Sequence, residues 1–244
     1  MRNRLSRVAH GGRPPRVGAA VALLACLGLA ACTATESPSP ASTAGARVVA
    51  PLPERGEIDA GTYLVSGYTV PFEVTIPDGW VTGDGSNLFK DDPNHPQDGA
   101  VVLVFWPADY VPTDACAWRG ALVPVGPTAE AFVDAVTAQG SAISSTPIEV
   151  VVGDYSGLEF EHSVESGVDI TDCDGGRFCV HSERAQECSR WYTDPGERET
   201  YRVIDLDGER AVIAVGQFYE SVDPALTAEA RAVFDSIEFV APDQ

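Results

Sequence analysis

The first thirty-two residues constrain this chain most, because they decide which part of it folds and in which redox compartment. Residues 1–16 carry Arg2, Arg4, Arg7, Arg13 and Arg16 without an acidic side chain, and residues 17–31 are apolar or small and uncharged up to Cys32. A basic start, a short apolar core and small residues before a cut form the pattern of a secretory signal. The apolar stretch is 15 residues long, short of the roughly 20 that a membrane-spanning helix needs. A buried core helix is the other reading, and the terminal position, the arginine flank and the polar tract behind it oppose that. Export places the chain where disulfides form. Downstream of Cys32 stand Cys116, Cys173, Cys179 and Cys188, and an even number in an exported chain reads as disulfides. Four cysteines permit three pairings. The short spacing of Cys179 and Cys188 suits a local loop, which leaves Cys116 with Cys173. A zinc site would want a C-x-x-C pair, and none occurs; His181 stands alone nearby. No metal and no cofactor are expected.

The end of the apolar stretch, Leu29-Ala30-Ala31-Cys32, resembles a bacterial lipobox. The resemblance implies a diacylglyceryl group on the Cys32 sulfur and cleavage of the signal before it. Leu23-Leu24-Ala25-Cys26 is a rival, opposed by the bulky Leu24 and the apolar run still to come. An ordinary signal cut after Ala31 is the other alternative. Residues 33–50 are rich in Thr, Ala, Ser and Pro without hydrophobic periodicity, a composition that cannot bury enough apolar surface to order itself. The expected organisation is a signal over 1–31, a lipidated Cys32 with a flexible tether over 32–60, and one domain over 61–240.

The charge narrows the partners. The chain has formal charge −20, and residues 1–31 hold five of its sixteen basic residues and none of its thirty-six acids, so the remainder carries −25. Nucleic acid is therefore excluded as an expected partner. An anionic bilayer surface repels such a domain, so membrane contact is expected through lipid on Cys32, on the extracytoplasmic face. Lys90 is the only lysine. That arginine bias indicates a GC-rich genome and, with the lipobox, a bacterium; any lysine-dependent chemistry falls on Lys90.

Periodicity supplies the elements. Over residues 68–76, Phe72, Val74 and Ile76 share one face while Glu73 and Thr75 share the other, a half-buried strand. Pro77-Asp78-Gly79 is a turn. Residues 87–99 are polar and proline-bearing and read as a loop, and 100–106 is a continuous apolar run that suits a central strand. Residues 126–140 read as a helix, with Thr128 as cap, Glu130 near the positive end, a Phe132/Val133/Val136 stripe and Gly140 as the left-handed residue after the last turn. Strands are expected over 148–152 and 157–162 around Gly153-Asp154, followed by a cysteine-bearing excursion over 168–189. Residues 202–206 and 209–218 form a hairpin about Asp207-Gly208, a pair suited to positive φ. Asp205-Leu206-Asp207-Gly208 also looks like a calcium-loop fragment, but the EF-hand spacing and its distal glutamate are absent. A last helix has Asp223 as cap, Pro224 first, and Leu226, Ala230, Val233 and Phe234 on one face. The sum is an α+β fold, a mostly antiparallel sheet with two packed helices.

Several landmarks run in order: residues 72–80 (F-E-V-T-I-P-D-G-W), Cys116-Ala117-Trp118, the helix start Gly126-Pro127-Thr128, residues 152–157 (V-G-D-Y-S-G), Asp205-Leu206-Asp207-Gly208 and Asp235-Ser236-Ile237. In this order they resemble an actinobacterial group of secreted or lipid-anchored domains of unknown function. The layout also resembles the Mog1/PsbP-like α/β/α sandwich of some mycobacterial lipoproteins, over roughly 61–240. The resemblance implies a fold and no catalytic residue. It also implies a bond between the cysteine of the C-x-W motif and one in the later excursion, which supports Cys116–Cys173. Cys179–Cys188 rests on spacing.

No catalytic constellation is legible. Residues 153–157 lack the G-x-S-x-G spacing of a hydrolase elbow. His95 lies in a proline-flanked loop, His162 at a strand end and His181 alone, so no proton relay is readable. Acidic pairs such as Asp91-Asp92 and Glu159/Glu161 follow from composition. Trp106, Tyr110 and Trp118 cluster around the Cys116 loop; they form a candidate recognition patch if exposed, and pack beside the disulfides if not. The expected function is a non-enzymatic envelope domain binding a protein or a small ligand. The alternatives are an envelope hydrolase whose residues converge only in three dimensions, and an assembly factor for an envelope complex.

Overall fold

The computed structural model describes residues 49–94, 100–105, 107–218 and 222–240; Cys32, His95 and Trp106 lie outside them. In chain order the strands begin with β1 (Ala50–Pro51), β2 (Gly56–Ile58), β3 (Gly61–Val65), β4 (Phe72–Ile76), β5 (Trp80–Thr82), β6 (Asn87–Asp91) and β7 (Ala100–Phe105). Next come β8 (Tyr110–Pro112), β9 (Leu122–Pro124), α1 (Ala129–Thr137), β10 (Ala142–Ser144), β11 (Ile148–Val152) and β12 (Tyr155–Val164). The chain then runs through β13 (Phe178–His181), β14 (Arg190–Tyr192), β15 (Arg198–Asp205), β16 (Arg210–Gln217), α2 (Pro224–Asp235) and β17 (Glu238–Phe239). The fold is α+β, mostly antiparallel, with two helices.

The large sheet runs β10-β12-β15-β16-β7-β6-β5-β2, with β11 also on β12, and its ladders are antiparallel. Period-two alternation divides its side chains between two apolar clusters. Leu103 and Phe105 of β7 and Ile213 and Val215 of β16 join Leu226, Ala230, Val233 and Phe234 of α2. Val102 and Val104, with Val212 and Ala214, join Phe132, Val133 and Val136 of α1. Each face of the sheet thus carries one helix. Burial on both sides is why β7 reads as an unbroken apolar run.

Both helices start as their caps dictate. The Thr128 side chain accepts from Ala131 N, and that of Asp223 accepts from Ala225 N with Pro224 behind it. Asp207 (φ 59°) and Gly208 (φ 112°) turn the β15–β16 hairpin, and the calcium-loop fragment is that turn.

Four readings of the sequence are corrected. Residues 87–91 are the strand β6 rather than loop, because Leu88 is fully buried between β5 and β7; the surrounding polar residues hid a single inward side chain. Residues 50–51 and 56–58, read as tether, are strands, and Ile58 enters the core opposite Trp80. The left-handed residue after α1 is Ser141 (φ 67°), not Gly140; Gly140 is small because a Cβ there would meet Asp114 Oδ2 at 3.0 Å. The first strand of the second hairpin, β15, starts at Arg198, four residues before its expected start at 202, with consequences described below.

Candidate functional site

The extra length of β15 places Glu199 inside the protein. Glu199 shares its face with Tyr201 and Val203, which belong to the α1-side core. Arg190 of β14 donates from Nε to Glu199 Oε1 at 2.9 Å, the Tyr201 hydroxyl donates to Oε2, and the Tyr192 hydroxyl oxygen lies 3.2 Å from Oε2. The side chains of Arg190 and Glu199 are 10% and 1% exposed. Gly216, opposite Glu199 in the ladder, makes this possible: a Cβ there would lie 2.5 Å from Glu199 Cγ. Burial alone would lower the Arg190 pKa, but Glu199 holds it above the ordinary value, and burial raises both tyrosines.

His162 extends this network. Its Nδ1 pairs with the Tyr192 hydroxyl at 3.1 Å and its Nε2 with Gln139 Oε1 at 3.2 Å, while Gln139 Nε2 donates to the carbonyls of Pro112 and Val180. Both ring nitrogens are thus occupied by protein. His181 is buried against the rings of Phe132 and Tyr201, with Nδ1 unpartnered. Burial pulls His162 down to about 4 and His181 to about 3, the latter aided by Arg190. Both are therefore neutral in the fold at neutral pH, and neither is placed as a general base.

A pH dependence follows. A histidine that stays neutral in the fold and titrates near 6.5 when unfolded favours the fold fully above that value. As pH falls below 6.5 the unfolded chain binds protons that the native state refuses, down to about 4 for His162 and about 3 for His181. Urea unfolding at constant ionic strength is expected to show stability falling from pH 7 to pH 4, with His162→Asn and His181→Gln flattening the slope. A flat profile in the unaltered protein would contradict the buried neutral assignment.

The opposite face holds a cleft of about 590 Å³ between α2 and the ends of β12, β15 and β16. Residues of alternate phase point into it: Glu161 and Ser163 on β12, Arg198 and Thr200 on β15, Val215 on β16, with Thr227, Ala230 and Arg231 on α2. Beside it Glu159 accepts from Arg202 Nε at 3.0 Å and from Arg231 Nη2 at 2.8 Å, and Arg202 stacks on Phe234 at 4.1 Å. The pair Glu159/Glu161 is thus split: Glu159 is engaged by two arginines, while Glu161 faces the cleft.

The excursion carries the disulfides, Cys116–Cys173 and Cys179–Cys188. Trp118 is buried on the second of them, 7% exposed, and its Nε1 donates to Asp174 O at 2.7 Å. Tyr110 is half-buried and bridges to Ser182 through the backbone. Trp118 therefore offers no free ring to a partner, and Trp106 lies outside the described residues. Lys90 donates to Glu229 Oε1 at 2.7 Å, as does Trp80 Nε1 at 2.8 Å, so the single ammonium fastens α2 to β6. Reading β15 from Arg202 onward missed Arg198 and Glu199; the signal that finds them is the phase of Glu199 with Tyr201 and Val203.

These features define a class: an α+β domain with a mostly antiparallel sheet, a helix on each face and two disulfides. No protein-family model matches the chain, and no curated protein does. Among solved structures it is similar to the cyanobacterial PsbP (CyanoP) of Synechocystis sp. PCC 6803, at 12% identity and a TM-score of 0.35, over 76% of this chain and 96% of that one. No described helix is long and apolar enough to cross a membrane.

Proposed function

We propose that this protein is a bacterial cell-envelope lipoprotein, held on the extracytoplasmic face by lipid on Cys32, whose domain binds a protein or a small ligand without carrying out chemistry. The observation that carries the reading is the pair of disulfides, which belong to an oxidising compartment and agree with an export signal at the amino terminus. The binding part is supported by the cleft beside α2 and by two histidines turned into the core on the other face. We further propose the Mog1/PsbP-like sandwich and an actinobacterial origin, on the order of the sequence landmarks and the placement of one helix per face. An assembly role is a second reading, favoured by the exposed Ile143, Ile148 and Val151 on the sheet's edge strands β10 and β11.

The test is fractionation. In the native host, mass spectrometry of the mature amino-terminal peptide is expected to find a diacylated Cys32, and a Cys32→Ser form is expected to lose its membrane association. A Cys32→Ser form that stays with the membrane, or a lipid found on Cys26, would overturn the anchor.

A further inference from the structure

We propose that the cleft beside α2 binds a small zwitterion, an amino acid or short peptide with an apolar side chain, whose carboxylate pairs with Arg198 and whose ammonium pairs with Glu161. This rests on the binding reading above and names its ligand class.

The selection comes from which charges in the cleft are already spent. Five acidic or arginine side chains line it: Glu161, Glu197, Arg198, Glu199 and Arg231. Glu199 holds Arg190 on the far face. Glu197 lies beside the same arginine, and its Oε1 accepts from the backbone nitrogens of Thr193 and Asp194. Arg231 is tied to Glu159 and Asp235. Arg198 and Glu161 are both exposed, and among the described residues neither side chain has a hydrogen bond, an ion pair or a ring contact. The other described basic side chains are all engaged by acids, carbonyls or aromatic rings. An idle guanidinium in a domain with this excess of acid is the unusual feature, and it stands on the cleft wall.

Register sets the spacing. Ser163 pairs with Arg198 across the ladder and Glu161 with Thr200, so Arg198 and Glu161 are diagonal neighbours on one face, their backbones about 7–8 Å apart. Long side chains adjust around that span, which suits a ligand carrying opposite charges one or two residues apart. The hydroxyls of Ser163 and Thr200 lie between them and make no hydrogen bond among the described residues, so they can serve the same carboxylate. Val215 and Ala230 supply an apolar floor, and the volume is within the usual range for small-ligand sites. The domain's net charge decides between a zwitterion and a simple anion. The formal −25 of residues 32–244 repels an anion over a Debye length of roughly 8 Å at physiological salt, whereas a zwitterion has no net charge for that field to repel.

The test uses matched probes. Purified mature protein is titrated by 1H–15N NMR with L-leucine, with glycyl-leucine, with L-leucinamide, which lacks the carboxylate, and with 4-methylpentanoate, which lacks the ammonium. The tighter of the first two identifies a free amino acid or a peptide end as the ligand. Either is expected to shift the amides of Thr200, Val215 and Thr227 and to bind about ten-fold more tightly than either half-probe. Arg198→Gln is expected to bring the zwitterion down to the level of leucinamide, and Glu161→Gln to that of 4-methylpentanoate; both positions are exposed, and unchanged spectra elsewhere verify the fold. Absence of any shift at millimolar concentrations, equal binding of all probes, or full affinity in Arg198→Gln would overturn the site. Probe shifts that map to another surface, or a partner still crosslinked by Arg198→Gln at the unaltered level, would overturn this site while leaving the binding reading standing.

Discussion

Glu199→Ala is expected to destabilise the domain by about 3–5 kcal/mol, the range for removing one member of a buried ion pair. The loss has three sources. Arg190 would remain almost wholly buried with its close partner gone, and only Glu197 Oε2, 3.8 Å away on a carboxylate whose Oε1 is held by backbone donors, would offset its charge. The Tyr201 hydroxyl would lose its acceptor, and an unpaired buried donor costs about 1–3 kcal/mol. A hole would also open beside Gly216. Against a total stability on the order of 5–15 kcal/mol, such a change consumes a large share. The control is to remove both charges together. Arg190→Met with Glu199→Leu is expected to recover most of the loss, because well-packed apolar side chains often replace a buried pair without penalty. Urea denaturation of the singles and the double measures both. A loss below about 1 kcal/mol in Glu199→Ala, the scale of an exposed pair, would show that the carboxylate is not desolvated as described.

Removing the Cys116–Cys173 bond is expected to cost about 4 kcal/mol, and removing Cys179–Cys188 about 3 kcal/mol, from the loop lengths in the chain-entropy account. The sequence separations are 57 and 9 residues, and the cost grows only with the logarithm of the loop. The longer bond joins the segment before α1 to the start of the excursion, where Asp174 N also donates to Cys116 O at 2.9 Å. The shorter bond closes the β13–β14 hairpin and forms the surface on which Trp118 and Trp191 pack. Paired alanine substitutions are the right variants, since serine would leave hydroxyls in buried positions. Thermal unfolding is expected to rank the paired-alanine form of Cys116 and Cys173 below that of Cys179 and Cys188. The reverse order would mean that the short bond acts through packing under the two tryptophans more than through chain entropy.

The elements legible in the sequence are those whose determinants lie within a few residues. Thr128, Asp223 and Pro224 mark helix starts because a cap satisfies amides two or three positions away. Asp207-Gly208 marks a hairpin because two adjacent residues must take positive φ. The β6 strand was hidden because Leu88 is its single fully buried side chain, and one inward residue makes no pattern. The Glu199 network was hidden because an acid in a strand reads as solvent-facing, and only a partner supplied from β14 reverses that reading. Trp118 shows the same limit in the other direction: composition marks it as an anchor, and the fold spends it on a disulfide and a carbonyl.

By itself the sequence determined the arginine-bearing start with its apolar stretch, the acidic character, the cysteine inventory and the α+β alternation of elements. All of these follow from local order or from counting. Tertiary structure alone decided which charges are buried and paired and which remain available. Arg198 meets Ser163, and Arg190 meets Glu199, through strand register and through the path of the excursion between them. A shift of one residue in that register would send each side chain to the opposite face. The division between a closed network under α1 and an open cleft beside α2 is therefore a property of the assembled sheet, and no stretch of the chain carries it alone.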